Sequence, residues 1–224
     1  QDEGNLSFAF ISGFADYKVN NYRHFNQPLI NALIKAGIPA EQDARNNIIC
    51  NGKKISGNAQ FTDRKNIISH GTLLYKADLP TLRACLKPNT FTIETKAVAS
   101  VSSSVTNVAD INDRWEGMEA LKQYLATGLN AKEAYSFSDE EWTEIEELAA
   151  QKFSSDEWIF GRSPKTVIHK NGFEITIEDG KIMAINGANE ALQKALQGVF
   201  YSHKHIKKAL SNLPNASVLL ESLF

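Results

Sequence analysis

The chain has 224 residues, and its 24 Lys and Arg against 26 Asp and Glu leave a formal charge of -2. That balance excludes bulk electrostatic capture of nucleic acid, so an anionic ligand must be held by local groups. A composition of 42% hydrophobic and 22% charged residues excludes a disordered chain, and no run approaches the roughly 18 apolar residues of a membrane span.

Residues 6–14 (LSFAFISGF) are rich in aromatic and short apolar side chains and predict a buried strand. Helical spacing follows at Phe25, Leu29, Leu33 and Ala36, and Gly37 with Pro39 supplies the stop. Segments 48–50, 54–61 and 67–75 have the punctuation of a three-stranded meander. Asn51-Gly52 forms its hairpin turn and Asp63-Arg64-Lys65 a polar one. Asp78 can cap a short helix that puts Leu79, Leu82 and Leu86 on one face and ends at Pro88. The Ser/Thr/Val-rich stretch 90–110 reads as loop plus strand, and 115–129 as an amphipathic helix. Ser138 and Glu141 form a capping box for a helix over 139–153, whose six acidic residues read as a solvated face.

After Gly161-Arg162-Ser163-Pro164 the pattern changes. Segments 173–177 and 181–185 flank Asp179-Gly180 as a hairpin, and helices follow over 190–197 and 203–213. These residues predict a second domain of about 60 residues, near the lower limit for independent folding. The two cysteines, Cys50 and Cys85, are too few for a disulfide framework or a zinc site, and both read as reduced, buried core thiols.

Chemistry is densest at Asn51-Gly52-Lys53-Lys54-Ile55-Ser56-Gly57-Asn58-Ala59, with His70-Gly71-Thr72 on the neighbouring strand. Strict alternation puts Lys54, Ser56 and Asn58 on one face. Gly57 and Gly71 remove side chains from adjacent strands, a pattern that marks close approach of a ligand or another backbone. A Lys beside such a depression can hold a carboxylate and a phosphate together as a point charge.

These residues resemble a family. Asn46, then Gly52 through Gln60, then His70-Gly71-Thr72-Leu73-Leu74 and Asp78-Leu79, look like the core of the lipoate–protein ligases. Ser100-Val101, Val105-Thr106-Asn107, Trp158, Phe160-Gly161 and Ser163-Pro164 extend the match in order and at matching spacing. The resemblance implies an α+β fold, a class II synthetase/biotin-ligase-like mixed, mainly antiparallel sheet flanked by helices. It places the catalytic domain at 1–164 and a small α+β accessory domain at 165–224. The implied reaction converts lipoate and MgATP to lipoyl-AMP and pyrophosphate, then passes the acyl group to a lysine of a lipoyl domain. Acceptors would be lipoyl domains of 2-oxoacid dehydrogenase complexes or the glycine cleavage H protein, in the cytoplasm, with no nucleic acid or membrane partner. Lys54 falls on the family's catalytic lysine. Asn46, Ser56, Gly57, His70, Gly71 and Thr72 fall on its substrate- and nucleotide-binding positions, while no metal ligand is assigned.

The sequence departs from the family pattern in several places. The glycine-rich phosphate loop is absent, with Gln1-Asp2 where its His-Asp tail would end, so the catalytic domain is expected to lack its N-terminal part. Asn47 stands where the family has an aspartate, Ser102 and Ser104 where it has arginines, and the single His70 where a His pair is commoner. Two other readings are an octanoyl or lipoyl transferase of the same superfamily, which needs an accessible low-pKa cysteine, and a non-catalytic binder of lipoyl domains or acyl ligands. The short run His203-Lys204-His205-Ile206-Lys207-Lys208 reads as a charged helix face.

Overall fold

A computed structural model describes residues 2–86, 92–97 and 103–224. It divides into two compact units, Gln1–Lys87 with Val101–Tyr135, and Pro88–Ser100 with Ser136–Phe224. No helix among the described residues is long and apolar enough to cross a membrane.

The first unit holds an antiparallel sheet of β1 (Asn5–Gly13), β2 (Ala40–Gln42), β3 (Ile48–Cys50), β4 (Lys53–Thr62) and β5 (Asn66–Leu74), in the order β1-β5-β4-β3-β2. The Asn51-Gly52 turn forms as predicted, with φ of 49° and 73°, the left-handed pair a tight hairpin requires. Helix α1 (Tyr22–Lys35) is capped by Asn21, whose side chain accepts from the His24 N–H. Its Leu29, Ile30 and Leu33 join Ile48, Cys50, Ile55, Leu73 and Tyr75 in one buried core. Helix α2 (Leu79–Cys85) is capped by Asp78, as its sequence predicts, and α3 (Met118–Gly128) adds Leu121 and Leu125 to that core. Gly128 lets α3 approach α1, since a Cβ there would stand 3.1 Å from the Ala32 Cβ.

In the second unit β6 (Thr92–Thr95), β7 (Thr166–Lys170), β8 (Phe173–Glu178) and β9 (Lys181–Asn186) form an antiparallel sheet in chain order. Its core unites Ile168, Ile175, Ile182 and Ile185 with Leu196 of α6 (Glu190–Leu196), Ile206 and Leu210 of α7 (His203–Leu210), and Leu223 of α8 (Ala216–Leu223). The Ser138 capping box opens α4 (Asp139–Leu148), a π-helical turn follows, and α5 (Asp156–Phe160) comes next. These units cut the chain at other places than 164/165. Strand β6 pairs with the distant β7, and that pairing carries residues from the 90–110 stretch into the second sheet.

Candidate active site

The register of β4 decides which of the predicted residues can act together. Ile49 opposes Lys54 but Ile48 opposes Ser56, so the register shifts between them and Ile55 is the extra residue on β4. Such an insertion breaks the period-2 alternation of a strand. Ser56 lies in register with Ile48 and Leu73, both fully buried core residues. Lys54 lies opposite Ile49, and beyond the shift it shares the other face with Gly57, which opposes Thr72. A Cβ on Gly57 would stand 2.9 Å from Lys54 Nζ and 3.0 Å from its Cε. The lysine side chain therefore occupies the space that glycine leaves.

On this outer face, successive rows across β1, β5 and β4 are Ser7-Thr72-Gly57, Ala9-His70-Ala59 and Ile11-Ile68-Phe61. Ile11 and Phe61 are 69% and 61% exposed. Backbone contacts hold Lys54 in place: its N–H donates to the Ser104 carbonyl (2.8 Å), and its carbonyl accepts from the Thr106 N–H (3.1 Å). No carboxylate lies within 4 Å of the Lys54 ammonium among the described residues.

Beside Thr72 opens a cavity of about 360 Å³ lined by Asp2, Asn5, Thr72, Leu74, Asp78, Leu82 and Cys85, among others. That size is at the lower end of the roughly 300–1,000 Å³ of small-molecule sites, and the mix of apolar wall and few polar groups is typical of them. The Asn5 amide nitrogen is buried with no hydrogen-bond partner among the described residues, so a donor is available to an acceptor placed in the cavity. The cavity wall is braced from behind by Asn107. Its side chain accepts from the Ala77 N–H (2.9 Å) and donates to the Ala77 carbonyl (3.0 Å). Asp2 accepts from the N–H groups of Gly4 and Asp78. The Asp78 carboxyl is held below its ordinary range by hydrogen bonds from the hydroxyl and then the N–H of Thr81.

The remaining predicted residues serve the core face. Alternation fails for Lys54 and Ser56, which point to opposite faces because of the register shift. Ser56 is 1% exposed and its hydroxyl has no partner among the described residues. Gly71 faces the core: a Cβ there would stand 2.8 Å from the Phe8 ring and 2.9 Å from the Gly57 carbonyl, and would strike Asn58 Oδ1. Asn46 sits in a left-handed turn (φ 65°) inside an amide network. Its carbonyl accepts from Asn26 (3.2 Å) and Asn58 (3.1 Å), and its Oδ1 from Gln42 (3.1 Å). Asn47 donates through its amide nitrogen to Asp43 Oδ2 (2.9 Å) and through its backbone N–H to Oδ1 (2.9 Å). Burial pushes the Asp43 carboxyl up, but these bonds and the one from the Arg45 N–H outweigh it and hold the group below its ordinary range. An aspartate at 47 would set two carboxylates against each other, which gives the amide a structural reason.

One thiol differs from expectation. Cys50 is fully buried, and burial pushes its pKa up, with Glu41 adding to the effect. Cys85 is exposed and lines the cavity, because α2 has its apolar side turned toward a surface that the described residues leave open. Gln1, Ser100, Val101 and Ser102 lie outside the described residues. Among the described residues no group of three His, Cys, Asp or Glu side chains could hold a metal ion. Sequence reasoning missed Asp2, Asn5, Leu82 and Cys85 as lining residues. The Asn5–Leu74 pairing that brings Asn5 there is long-range.

Residues 1–130 match the family described as the lipoyl protein ligase A/B catalytic domain. The chain is 34% identical to lipoate–protein ligase 1 of Staphylococcus aureus over 94% of this chain and 70% of that protein. It is 33% identical to lipoate-protein ligase LplJ of Bacillus subtilis over 73% of this chain and 51% of that protein. Solved structures of the same fold include lipoate-protein ligase A bound with ATP, at TM-score 0.53 and 24% identity over 69% of this chain and 64% of that one. Another comes from a structural study of a bi-partite lipoate protein ligase and its E2 lipoyl domain from Thermoplasma acidophilum, at TM-score 0.54 and 22% identity over 70% of this chain and 64% of that one. Fold and family match define a catalytic domain of the lipoyl ligase type. The chain belongs to the lipoate–protein ligase family, and it spans about half to 70% of the length of these two ligase relatives.

Proposed function

We propose that this protein carries out ATP-dependent, AMP-forming lipoate–protein ligation, with the reacting groups on the outer face of the first sheet. A lipoate carboxylate oxygen attacks the α-phosphorus of ATP and pyrophosphate leaves. A deprotonated lysine amine of the acceptor then attacks the acyl carbonyl carbon, AMP leaves, and the amine proton passes to solvent. The acceptors proposed are lipoyl domains of 2-oxoacid dehydrogenase complexes or the glycine cleavage H protein, in the cytoplasm.

The observation that carries this reading is the placement of the Lys54 ammonium, unpaired among the described residues, over Gly57, one strand from Thr72 and the cavity it lines. A fixed cation there neutralises the attacking carboxylate and the α-phosphate, and so stabilises charge that develops in the transition state. Thr72 and the unpartnered Asn5 amide offer hydrogen bonds to the substrate, while Leu74 and Leu82 supply an apolar wall for the acyl chain. His70 borders the same face, and Asn46 supports the sheet from the other. The described residues do not fit a resident Mg2+ site: no three His, Cys, Asp or Glu side chains cluster among them, and Asp2, Asp43 and Asp78 are each committed to backbone or side-chain donors. Magnesium is therefore proposed only as the counter-ion that travels with ATP. Lys54→Ala should lower lipoate-dependent ATP–pyrophosphate exchange by about 10²–10³, the loss of one such preorganised charge. Retention of more than about a tenth of the rate, a change under about 1.4 kcal/mol, would remove Lys54 from the chemistry.

The exposure of Cys85 within the same cavity favours a second reading. In an acyl transferase its thiolate would attack a carrier thioester, displace the carrier thiol, and yield the acyl group to the lysine amine. Cys85→Ser distinguishes the two, because only the transferase loses all transfer.

A further inference from the structure

The second unit contains a cavity of about 370 Å³, lined by none of the residues of the candidate active site. Its wall is formed by Trp158, Ile159, Arg162, Ile177 and Tyr201, among others. Trp158 stays 44% exposed although it packs edge-on against Phe153 at 4.9 Å. Two cations border its ring: Lys152 Nζ lies 4.8 Å from the ring centroid and the Arg162 guanidinium 6.0 Å. Neither has a carboxylate within 4 Å among the described residues. The acids on the adjoining helix are committed elsewhere, Asp156 to His205 (2.9 Å) and Glu157 to Lys181 (2.6 Å). The hydroxyl of Tyr201 is also taken, since it donates to the Leu223 carbonyl.

We infer that this cavity binds a small organic anion, a carboxylate or phosphate ester joined to a flat or apolar body. The anionic group is recognised by Arg162, which can grip a carboxylate or phosphate through two parallel N–H bonds, while Lys152, which borders the Trp158 ring and does not line the cavity, adds positive potential only from outside it. The body stacks on Trp158 and fills the space beside Ile159 and Ile177. Lys54 has no part in this site, so its failure would leave the ligase reading untouched.

The test follows tryptophan fluorescence of the whole chain carrying Lys54→Ala, titrated separately with octanoate, AMP and inorganic phosphate. A saturable change is expected with octanoate or with AMP, and it disappears in the Trp158→Phe background. Arg162 is exposed, so Arg162→Gln should keep the far-ultraviolet spectrum while weakening binding at least about tenfold, the loss of a bidentate charged contact. Saturation by octanoate alone identifies an acyl carboxylate as the source, and by AMP alone a nucleotide phosphate. The inference is overturned if neither ligand gives a Trp158-dependent signal or if Arg162→Gln binds as tightly as the parent. Phosphate binding as tightly as AMP and octanoate would overturn it too, since the body would then contribute nothing.

Discussion

Gly57 and Gly71 sit on neighbouring strands one register step apart, yet they serve opposite faces of the sheet. Around Gly71 the missing Cβ is replaced by the protein's own atoms: the Phe8 ring, the Asn58 amide and the Gly57 carbonyl. At Gly57 the only close neighbour among the described residues is the end of a flexible lysine, beside a cavity whose buried Asn5 amide has no partner among them. Gly71 is a packing device, and Gly57 leaves room for the Lys54 side chain on the outer face. In this sheet the core face is tightly filled, whereas the outer face keeps a mobile charge, small side chains and a small-molecule-sized opening.

That contrast can be broken at several points. The largest effect on stability among the side-chain changes should come from Cys50→Ser, which buries a hydroxyl in a fully apolar place and should cost about 1–3 kcal/mol in urea unfolding. Cys85→Ser should cost almost nothing, and native Cys85 should react with a thiol reagent while Cys50 stays protected until unfolding. Protection of both thiols would mean that the outer face is covered. Ser56→Ala removes a buried hydroxyl that has no partner, so stability should hold or rise by about 1 kcal/mol, and exchange activity should persist. Loss of activity without unfolding would return Ser56 to the reacting face.

The smallest expected effect is acidic. Because the folded-state pKa of Asp78 is depressed, its capping contribution is fully present above the unfolded value of about 3.9 and is lost as pH falls through the folded one. The stability difference between the parent and Asp78→Asn should accordingly shrink as pH falls below about 4. A difference that grows in acid would contradict the cap.

Much of this was legible in the sequence where the signal is local. The 6–14 strand, α1, the Asn51-Gly52 hairpin, the Asp78 cap and the Ser138 capping box depend on residues within a few positions of one another, although the strand, expected to be buried, lies at the sheet edge with Ser7, Ala9 and Ile11 exposed. Lys54 and Gly57 were legible as a pair because the family motif places them together. Two features were not legible, for physical reasons. A register shift depends on which residue of β3 opposes β4, and nothing local to 54–58 encodes the inserted Ile55 that turns Ser56 away from Lys54. Helical periodicity shows that Leu82 and Cys85 share a side of α2 with Leu79, but it cannot show whether anything covers that side.

The most direct test makes Gly57→Ala and Gly71→Ala in parallel and measures urea unfolding and lipoate-dependent ATP–pyrophosphate exchange on each. Gly57→Ala should keep its stability within about 0.5 kcal/mol, because only the flexible Lys54 must move, and should lose at least about tenfold in exchange as the ammonium is displaced. Gly71→Ala should instead lose about 1–3 kcal/mol of stability, as an overpacked core does. The account is contradicted if Gly71→Ala is as stable as the parent, or if Gly57→Ala exchanges pyrophosphate at the parent's rate.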